Sequence, residues 1–302
     1  MSSHHHHHHG GHHHHHHDAA SGRIGWAFVI NLCFTIIEFI GGILTNSTAI
    51  MADAIHDLGD SLALGSAWLL QKLGQKDANQ SLTYGYRRLS LVAAFINAVV
   101  LVVGSIVILT IAIPRLWDPV MPHVQGMLWL AVLGMLVNGY AAYRLSAGKT
   151  LNERVMNWHL IEDVLGWAAV LVVSIVLMFV DLPILDPILS IAFTLFILVN
   201  VVRALGSTIK IFLQATPDPA LYPAIEERLR ALEPVADVHH LHIWSLDGEH
   251  HVCTAHLVLR SELTAAQQLA LKQDVADQLK PFELAHTTIE FELPDELCRD
   301  AD

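Results

Sequence analysis

A long apolar stretch near the start of the chain contains the segment Ala52-Asp53-Ala54-Ile55-His56-Asp57-Leu58-Gly59-Asp60. The stretch covers residues 48–70, and about 20 helical residues are enough to cross the hydrocarbon core of a membrane. On a helix with 3.6 residues per turn, the three aspartates and the histidine of this segment lie within an arc of about 100°. Each would cost several kcal/mol if it faced lipid. The segment therefore predicts a membrane helix whose polar face lines a cavity or contacts another helix.

A second apolar stretch, over residues 159–180, begins with a similar arrangement. His159 and Asp163 stand one turn apart and share a helix face, and Glu162 lies beside them. Together with His56 and Asp60 they supply two imidazoles and two carboxylates, which suit the tetrahedral shell of zinc. These four ligands include no thiolate, which would favour copper(I). We interpret the two His-x-x-x-Asp pairs as a site that carries a metal ion.

Six apolar stretches are long enough to span a membrane, which predicts a bundle of six transmembrane helices. Lysine and arginine concentrate in the alternate loops that share a side with the N-terminus, so both termini are predicted to face the cytoplasm. Glu38, inside the first stretch, is either a hydrogen-bond partner between helices or part of an ion access route. The stretches cover approximately residues 24–44, 48–70, 89–113, 126–145, 159–180 and 185–205.

Composition supports a division into a membrane part and a soluble part. The chain has 302 residues, of which 53% are hydrophobic and 15% charged, whereas soluble domains carry about a quarter charged residues. Residues 21–210 contain 11 basic and 11 acidic side chains, but residues 218–302 contain 6 basic and 17 acidic ones, a net charge of −11. This acidic surface excludes nucleic acid as a partner. The three cysteines do not form a disulfide framework.

The C-terminal part has the pattern of a small α+β domain. A helix, two strands, a helix and a strand follow one another, which predicts a ferredoxin-like sandwich. We therefore expect three regions: a His-rich segment at residues 1–22, either a purification tag or a native tail, a membrane domain at 23–213, and a cytoplasmic domain at 214–302.

Histidines are concentrated on the predicted strands of this domain. If Asp247-Gly248 closes a two-residue hairpin, His239 lies opposite His256, and His242 lies opposite Cys253 on the other face. Directly opposed β-carbons are about 5 Å apart, which is close enough to share a metal ion. Carboxylates are available from Glu290 and Glu292 on the third strand, and His286 precedes that strand.

In these features the chain resembles the cation diffusion facilitator family, specifically its zinc transporters. The resemblance extends over nearly everything after the histidine runs. It is carried by the segment at residues 52–60, by Thr83-Tyr84-Gly85-Tyr86-Arg87-Arg88, by His159 and Asp163, by Asp186-Pro187-Ile188-Leu189-Ser190, and by His239-His240-Leu241-His242-Ile243-Trp244-Ser245-Leu246.

The resemblance implies a homodimer in the lipid bilayer that exports a divalent metal, most often zinc, in exchange for protons. The family's transport site falls on His56, Asp60, His159 and Asp163. Its cytoplasmic metal residues are similar to His239, His256, His286 and Glu292, which implies regulation by bound metal.

Two features of the sequence depart from many members of the family. Asp57 and Glu162 add carboxylates beside the implied transport site, where relatives often have neutral residues. The loop at residues 148–154 contains no histidine, unlike the His-rich loop of many organellar transporters. The second departure favours the cytoplasmic (inner) membrane of a bacterium.

Other functions compatible with the sequence are efflux of cadmium, cobalt, iron or manganese and a metal sensor that transports nothing. An intramembrane metallohydrolase would also place histidine and aspartate in a membrane. It typically uses the motif His-Glu-x-x-His, which is absent, and only Asp57 and Glu162 remain as candidate bases.

Overall fold

A computed structural model describes residues 15–73, 78–146 and 151–300 of the chain. Most of the predicted His-rich segment and loop residues 147–150 lie outside the described residues. The contacts divide the chain into two compact units. One contains the long helices up to residue 204, and the other contains the residues from 205 onward together with the loop before the third helix.

Six long helices confirm the prediction of a helical membrane domain. Five of them are long and apolar enough to cross a membrane. The second, α2, is long enough but less apolar because it carries Asp53, Asp57 and Asp60. The last, α6, continues beyond its predicted end at residue 205. The bounds are α1 (His15–Thr45), α2 (Thr48–Leu73), α3 (Leu89–Ala112), α4 (Val124–Ser146), α5 (Leu151–Phe179) and α6 (Leu185–Phe212).

The packing of α4 against α5 and of α1 against α2 fixes the positions of the polar faces. Trp167 of α5 is completely buried, and a β-carbon at Gly134 of α4 would overlap its indole. A glycine is therefore needed at this point for the two helices to approach closely. The ring of Phe34, on α1, meets the indole edge to face with centroids 5.9 Å apart.

The C-terminal domain contains a three-stranded sheet in the order β1-β2-β3, with β1 antiparallel to β2 and β2 parallel to β3. One apolar core joins both helices to the sheet, with Leu229, Leu257 and Leu271 completely buried or nearly so. This architecture confirms the predicted ferredoxin-like class. The bounds are α7 (Leu221–Arg230), β1 (Val235–Ser245), β2 (His251–Leu259), α8 (Ala265–Leu279) and β3 (His286–Glu292).

The hairpin between β1 and β2 differs from the prediction of a two-residue turn. The Leu246 N–H donates to the His250 carbonyl at 2.8 Å, and Asp247 Oδ1 accepts the N–H groups of Glu249 and His250. These bonds close a longer loop, because an aspartate side chain can replace a backbone acceptor in a turn. The pairing of His242 with Cys253 is consequently wrong, and His242 pairs with Thr254.

A bulge in β1 restores the register that brings His239 opposite His256. The irregularity lies between His239 and His242, where His240 has a left-handed φ of 45°. An extra residue in one strand is the ordinary cause of such a shift. The predicted opposition of His239 and His256 is therefore correct, although the turn that was used to predict it is not.

Candidate metal centres

Two helix faces in the membrane domain converge at a group of four side chains, His56, Asp60, His159 and Asp163, which we call the membrane cluster. His159 Nε2 lies 2.9 Å from Asp60 Oδ2 and 3.9 Å from Asp163 Oδ2. His56 Nε2 lies 3.8 Å from both Asp60 Oδ2 and Asp163 Oδ1. Within each helix the i, i+4 spacing stacks a histidine above an aspartate. The packing of α2 against α5 then sets the two pairs face to face.

The geometry of the membrane cluster suits a small divalent cation. One nitrogen or oxygen from each residue lies within 4.8 Å of the other three. Ligand atoms of a tetrahedral zinc ion are roughly 3.3–3.6 Å apart, given metal–ligand bonds of about 2.0–2.2 Å. Small side-chain adjustments are enough to close the shell. Asp163 is only 7% exposed, whereas the other three residues are partly accessible.

No lysine or arginine forms an ion pair with Asp60 or Asp163 in the part of the chain that the structure describes. Their recorded partners are the two histidines, which carry charge only when they are protonated. Two carboxylates without a permanent positive neighbour favour the entry of a metal ion or of protons.

The start of α2 is held by a buried aspartate from α6. Asp186 accepts hydrogen bonds from the Ser47 hydroxyl at 2.5 Å, from the Thr48 N–H at 2.7 Å and from the Thr48 hydroxyl at 2.8 Å. The Ser190 hydroxyl donates to the Thr48 carbonyl at 2.9 Å. A carboxylate at a helix N-terminus satisfies free N–H groups and complements the helix dipole. This contact fixes the N-terminal end of α2, the helix that supplies His56 and Asp60 to the membrane cluster.

The C-terminal domain brings together His239, His256, Glu292 and Cys298, which we call the C-terminal cluster. Glu292 Oε2 lies 3.0 Å from His239 Nε2, and Glu292 Oε1 lies 2.8 Å from His256 Nδ1. Burial by itself would raise the pKa of the Glu292 carboxyl. Hydrogen bonds from Cys298 and His256 and the nearby His239 outweigh burial and lower that pKa. The carboxylate therefore stays ionised, as a metal ligand must.

Comparison with known proteins covers both domains. The family model for the cation efflux transmembrane domain matches residues 26–213, and the model for the cytoplasmic domain of cation efflux proteins matches residues 217–293. The chain belongs to the cation efflux family. This confirms the resemblance to cation diffusion facilitators, a family of metal transporters and not of enzymes.

Several curated relatives align with the cation efflux chain over most of its length. The cadmium, cobalt and zinc/H(+)-K(+) antiporter of Bacillus subtilis is 31% identical over 270 residues, covering 88% of this chain and 87% of the relative. The zinc transporter ZitB of Pectobacterium atrosepticum is 32% identical over 277 residues, covering 90% and 85%. The metal cation efflux system protein CzcD of Cupriavidus metallidurans is 31% identical over 280 residues, covering 91% and 87%.

The remaining predicted residues of the membrane domain lie outside the membrane cluster. Asp53 lies nearer the N-terminus of α2 and faces α5, where its Oδ1 would lie 3.6 Å from a β-carbon at Gly166. Asp57 is buried towards α1, where Asn31 donates to its carbonyl and completely buried Glu38 faces its carboxylate. Glu162 is exposed. The polar arc on α2 is thus shared between two neighbouring helices.

His286 does not join the C-terminal cluster. It pairs with Val252 at one end of β3, whereas Glu292 pairs with Val258 at the other end. Its ring lies edge to face against Tyr84, with centroids 5.1 Å apart. The structure does not group His286 with His239 and His256, because five residues of extended strand lie between His286 and Glu292.

The sequence did not predict two residues that lie in or beside the C-terminal cluster, Cys298 and His240. The His240 ring lies 5.1 Å from both the His239 and His256 rings, because the bulge turns consecutive residues to the same side. Cys298 replaces His286 as the fourth candidate ligand. The only sequence signal for Cys298 was a lone thiol shortly after the last strand.

Proposed function

We propose that this protein exports zinc and related divalent cations from the cytoplasm in exchange for protons. The observation that carries the proposal is the membrane cluster, where two imidazoles and two carboxylates meet between α2 and α5. Placing four ionisable groups inside a membrane domain costs free energy, so such groups usually mark an ion pathway. All three relatives described above have names that refer to metal transport or efflux.

The proposed exchange follows from the ligand chemistry. A metal ion binds neutral imidazole and ionised carboxylate, so protons and metal compete for the same four side chains. When the outward-facing site meets a lower pH, protonation of the ligands expels the ion. When the site faces the cytoplasm, loss of protons restores the ligands. The same residues thereby couple the two fluxes without a nucleotide.

Zinc is the proposed first substrate because two imidazole nitrogens and two carboxylate oxygens suit zinc. The names of two relatives include zinc, and the name of the Bacillus subtilis antiporter also includes cadmium and cobalt. We propose cadmium and cobalt as secondary substrates, and iron and manganese as poorer ones, since those ions favour harder ligand sets.

The protein is an integral membrane protein. We propose that it functions as a homodimer in the inner membrane of a bacterium, with both termini in the cytoplasm. The proposed orientation rests on the basic loops, and the domain matched at residues 217–293 supports a cytoplasmic position for the C-terminus. We also propose that metal bound at the C-terminal cluster regulates transport.

Zinc flux into proteoliposomes tests the proposed transport site. Asp163→Asn removes a carboxylate from the membrane cluster, and we expect it to abolish flux driven by a pH gradient. Glu162→Gln is a matched control, because it removes the neighbouring carboxylate on the exposed side of the same helix turn. Equal loss of flux in both variants would contradict the assignment of the site.

An ionophore that collapses the pH gradient tests the coupling. We expect uphill zinc movement to stop, and lumenal pH to change in step with zinc uptake when the gradient is present. Uphill movement that persists after collapse would overturn proton antiport. A protein that binds zinc but gives no flux under either condition would support the alternative of a metal sensor.

A further inference from the structure

The chain after β3 turns back towards the C-terminal cluster. The turn Leu293–Glu296 is closed by the Glu296 N–H, which donates to the Leu293 carbonyl at 3.1 Å. Pro294 occupies the second position of this turn, where proline is favoured, and Glu296 Oε2 accepts the Leu293 N–H at 2.9 Å. The reversal brings Cys298 alongside the end of β3 that carries Glu292.

The thiol of Cys298 lies in the position of a fourth ligand. Its Sγ is 3.5 Å from His256 Nδ1, the nitrogen that is also 2.8 Å from Glu292 Oε1. Ligand atoms of Cys298, His256, Glu292 and His239 all lie within 4.8 Å of one another. Bonds of about 2.0 Å to nitrogen or oxygen and 2.3 Å to sulfur place tetrahedral ligand atoms roughly 3.3–3.5 Å apart. The four groups therefore need little movement to surround one ion.

Competing carboxylates lie on the other side of the His256 ring. His256 Nε2 is 3.8 Å from Glu290 Oε2 and 3.7 Å from Asp300 Oδ2. Arg299 pairs with both, at 2.5 Å from Glu290 Oε2 and 3.9 Å from Asp300 Oδ1. The guanidinium offsets these charges and anchors the tail. Glu292 and Cys298 are left as the ligands on the Nδ1 side.

We propose that the C-terminal tail completes a metal site in which the Cys298 thiolate joins His239, His256 and Glu292. The inference rests on the proposed regulatory role of this domain and names its ligand class. On binding, the metal displaces the thiol proton to solvent and forms a metal–sulfur bond. A shell of two nitrogens, one oxygen and one sulfur selects borderline or soft ions such as zinc, cadmium and cobalt over manganese. Metal binding then fixes the tail against β3.

Cobalt(II) is the probe that tests this ligand set in the full chain. Thiolate bound to cobalt gives an intense charge-transfer absorption in the near ultraviolet, which nitrogen and oxygen ligands do not give. The membrane cluster and the N-terminal histidine runs contain no sulfur, so they are silent in this band. We expect the band in the wild-type protein and its loss in Cys298→Ser. Cys253→Ser is the matched control, because burial raises the pKa of that thiol to about 11 and it lies in the apolar core.

Two further measurements guard against loss of folding in the serine variant. Cys298→His should still bind cobalt in this site but without the charge-transfer band. In the wild-type protein, zinc should slow alkylation of Cys298 by N-ethylmaleimide at least tenfold, followed by mass spectrometry of the C-terminal peptide. A wild-type protein without the band, a band that survives in Cys298→Ser, or alkylation that zinc does not slow would overturn the proposal.

The test separates this inference from the proposed transport function. Asp163→Asn should lose zinc flux and keep the cobalt–thiolate band. The wild-type protein should show both the band and pH-driven zinc flux. Absence of the band with normal flux would therefore overturn only the Cys298 ligand, whereas absence of flux with a normal band would overturn only the transport proposal.

Discussion

We expect the proposed ligand residues of the membrane cluster to tolerate replacement to different degrees. His56 supplies one of two imidazoles, and Asp60 contacts both histidines. We predict that His56→Asp keeps transport but weakens the preference for zinc, with a relative gain for cadmium or manganese, because the shell becomes one nitrogen and three oxygens. Asp60→Ala should abolish flux. Competition between metals in vesicles checks both, and equal rankings for wild type and His56→Asp would show that other residues determine selectivity.

Asp57 is a natural candidate to replace a lost ligand, since it is the neighbour of His56 in sequence. In the structure it is buried towards α1 and does not belong to the membrane cluster. The metal ranking of His56→Asp should therefore be the same with and without Asp57→Asn. A further change of ranking in the double variant would mean that Asp57 rotates into the site.

The residues of the C-terminal cluster predict how its zinc affinity depends on pH. Histidine ordinarily takes up a proton near pH 6.5, so binding should weaken as pH falls from about 7.5 to 5.5. Because the pKa of Glu292 is lowered, its carboxylate remains ionised over this range. Glu292→Gln should reduce affinity at every pH without altering the pH slope, and His239→Ala should reduce affinity because it removes a candidate ligand.

Calorimetric titration in detergent measures this dependence in Asp163→Asn protein that begins at Asp18. The first change weakens zinc binding in the membrane cluster, and the second removes the two histidine runs. A flatter pH profile in Glu292→Gln would contradict the expected protonation states. An unchanged zinc affinity in His239→Ala would show that His239 is not a ligand.

At the scale of elements, the capping of α2 by Asp186 links α6 to the helix that carries half of the membrane cluster. Asp186→Ala leaves the Thr48 N–H and two hydroxyls without their buried acceptor. We predict a loss of about 2 kcal/mol or more in stability, from charge-assisted bonds and a lost helix cap. Thermal unfolding in detergent should show a lower midpoint. Asp181→Ala is the matched control, because Asp181 is exposed just before α6.

At the scale of the whole molecule, the negative charge of the C-terminal domain predicts that bound metal controls dimerisation. Residues 218–302 carry a net charge of −11, so two C-terminal domains repel each other until bound cations offset part of that charge. We predict that zinc strengthens dimerisation of the full chain in detergent, with a larger effect at low salt because salt screens the repulsion. Analytical ultracentrifugation measures the change in dimer affinity.

Two histidine variants distinguish the effect of site-bound zinc on dimerisation from general screening of charge. His256→Ala should remove most of the zinc effect, since it deletes the ligand between Glu292 and Cys298. His250→Ala should retain it, because His250 bonds to Asp247 in the hairpin loop and lies outside the C-terminal cluster. An equal zinc response in both variants would indicate nonspecific charge neutralisation.

Local periodicity in the sequence was enough to predict the long helices, the class of the C-terminal domain and the four side chains that meet in the membrane cluster. An i, i+4 pair shares a helix face wherever the helix packs, so His56 with Asp60 and His159 with Asp163 were recognisable from spacing alone. Only the tertiary structure showed which residues from distant segments come into contact. Three contacts are examples: the bulge at His240, the turn that brings Cys298 back to β3, and the cap that Asp186 places on α2. Each depends on turns, strand register or helix packing. The spacing of residues along a helix contains no information about these.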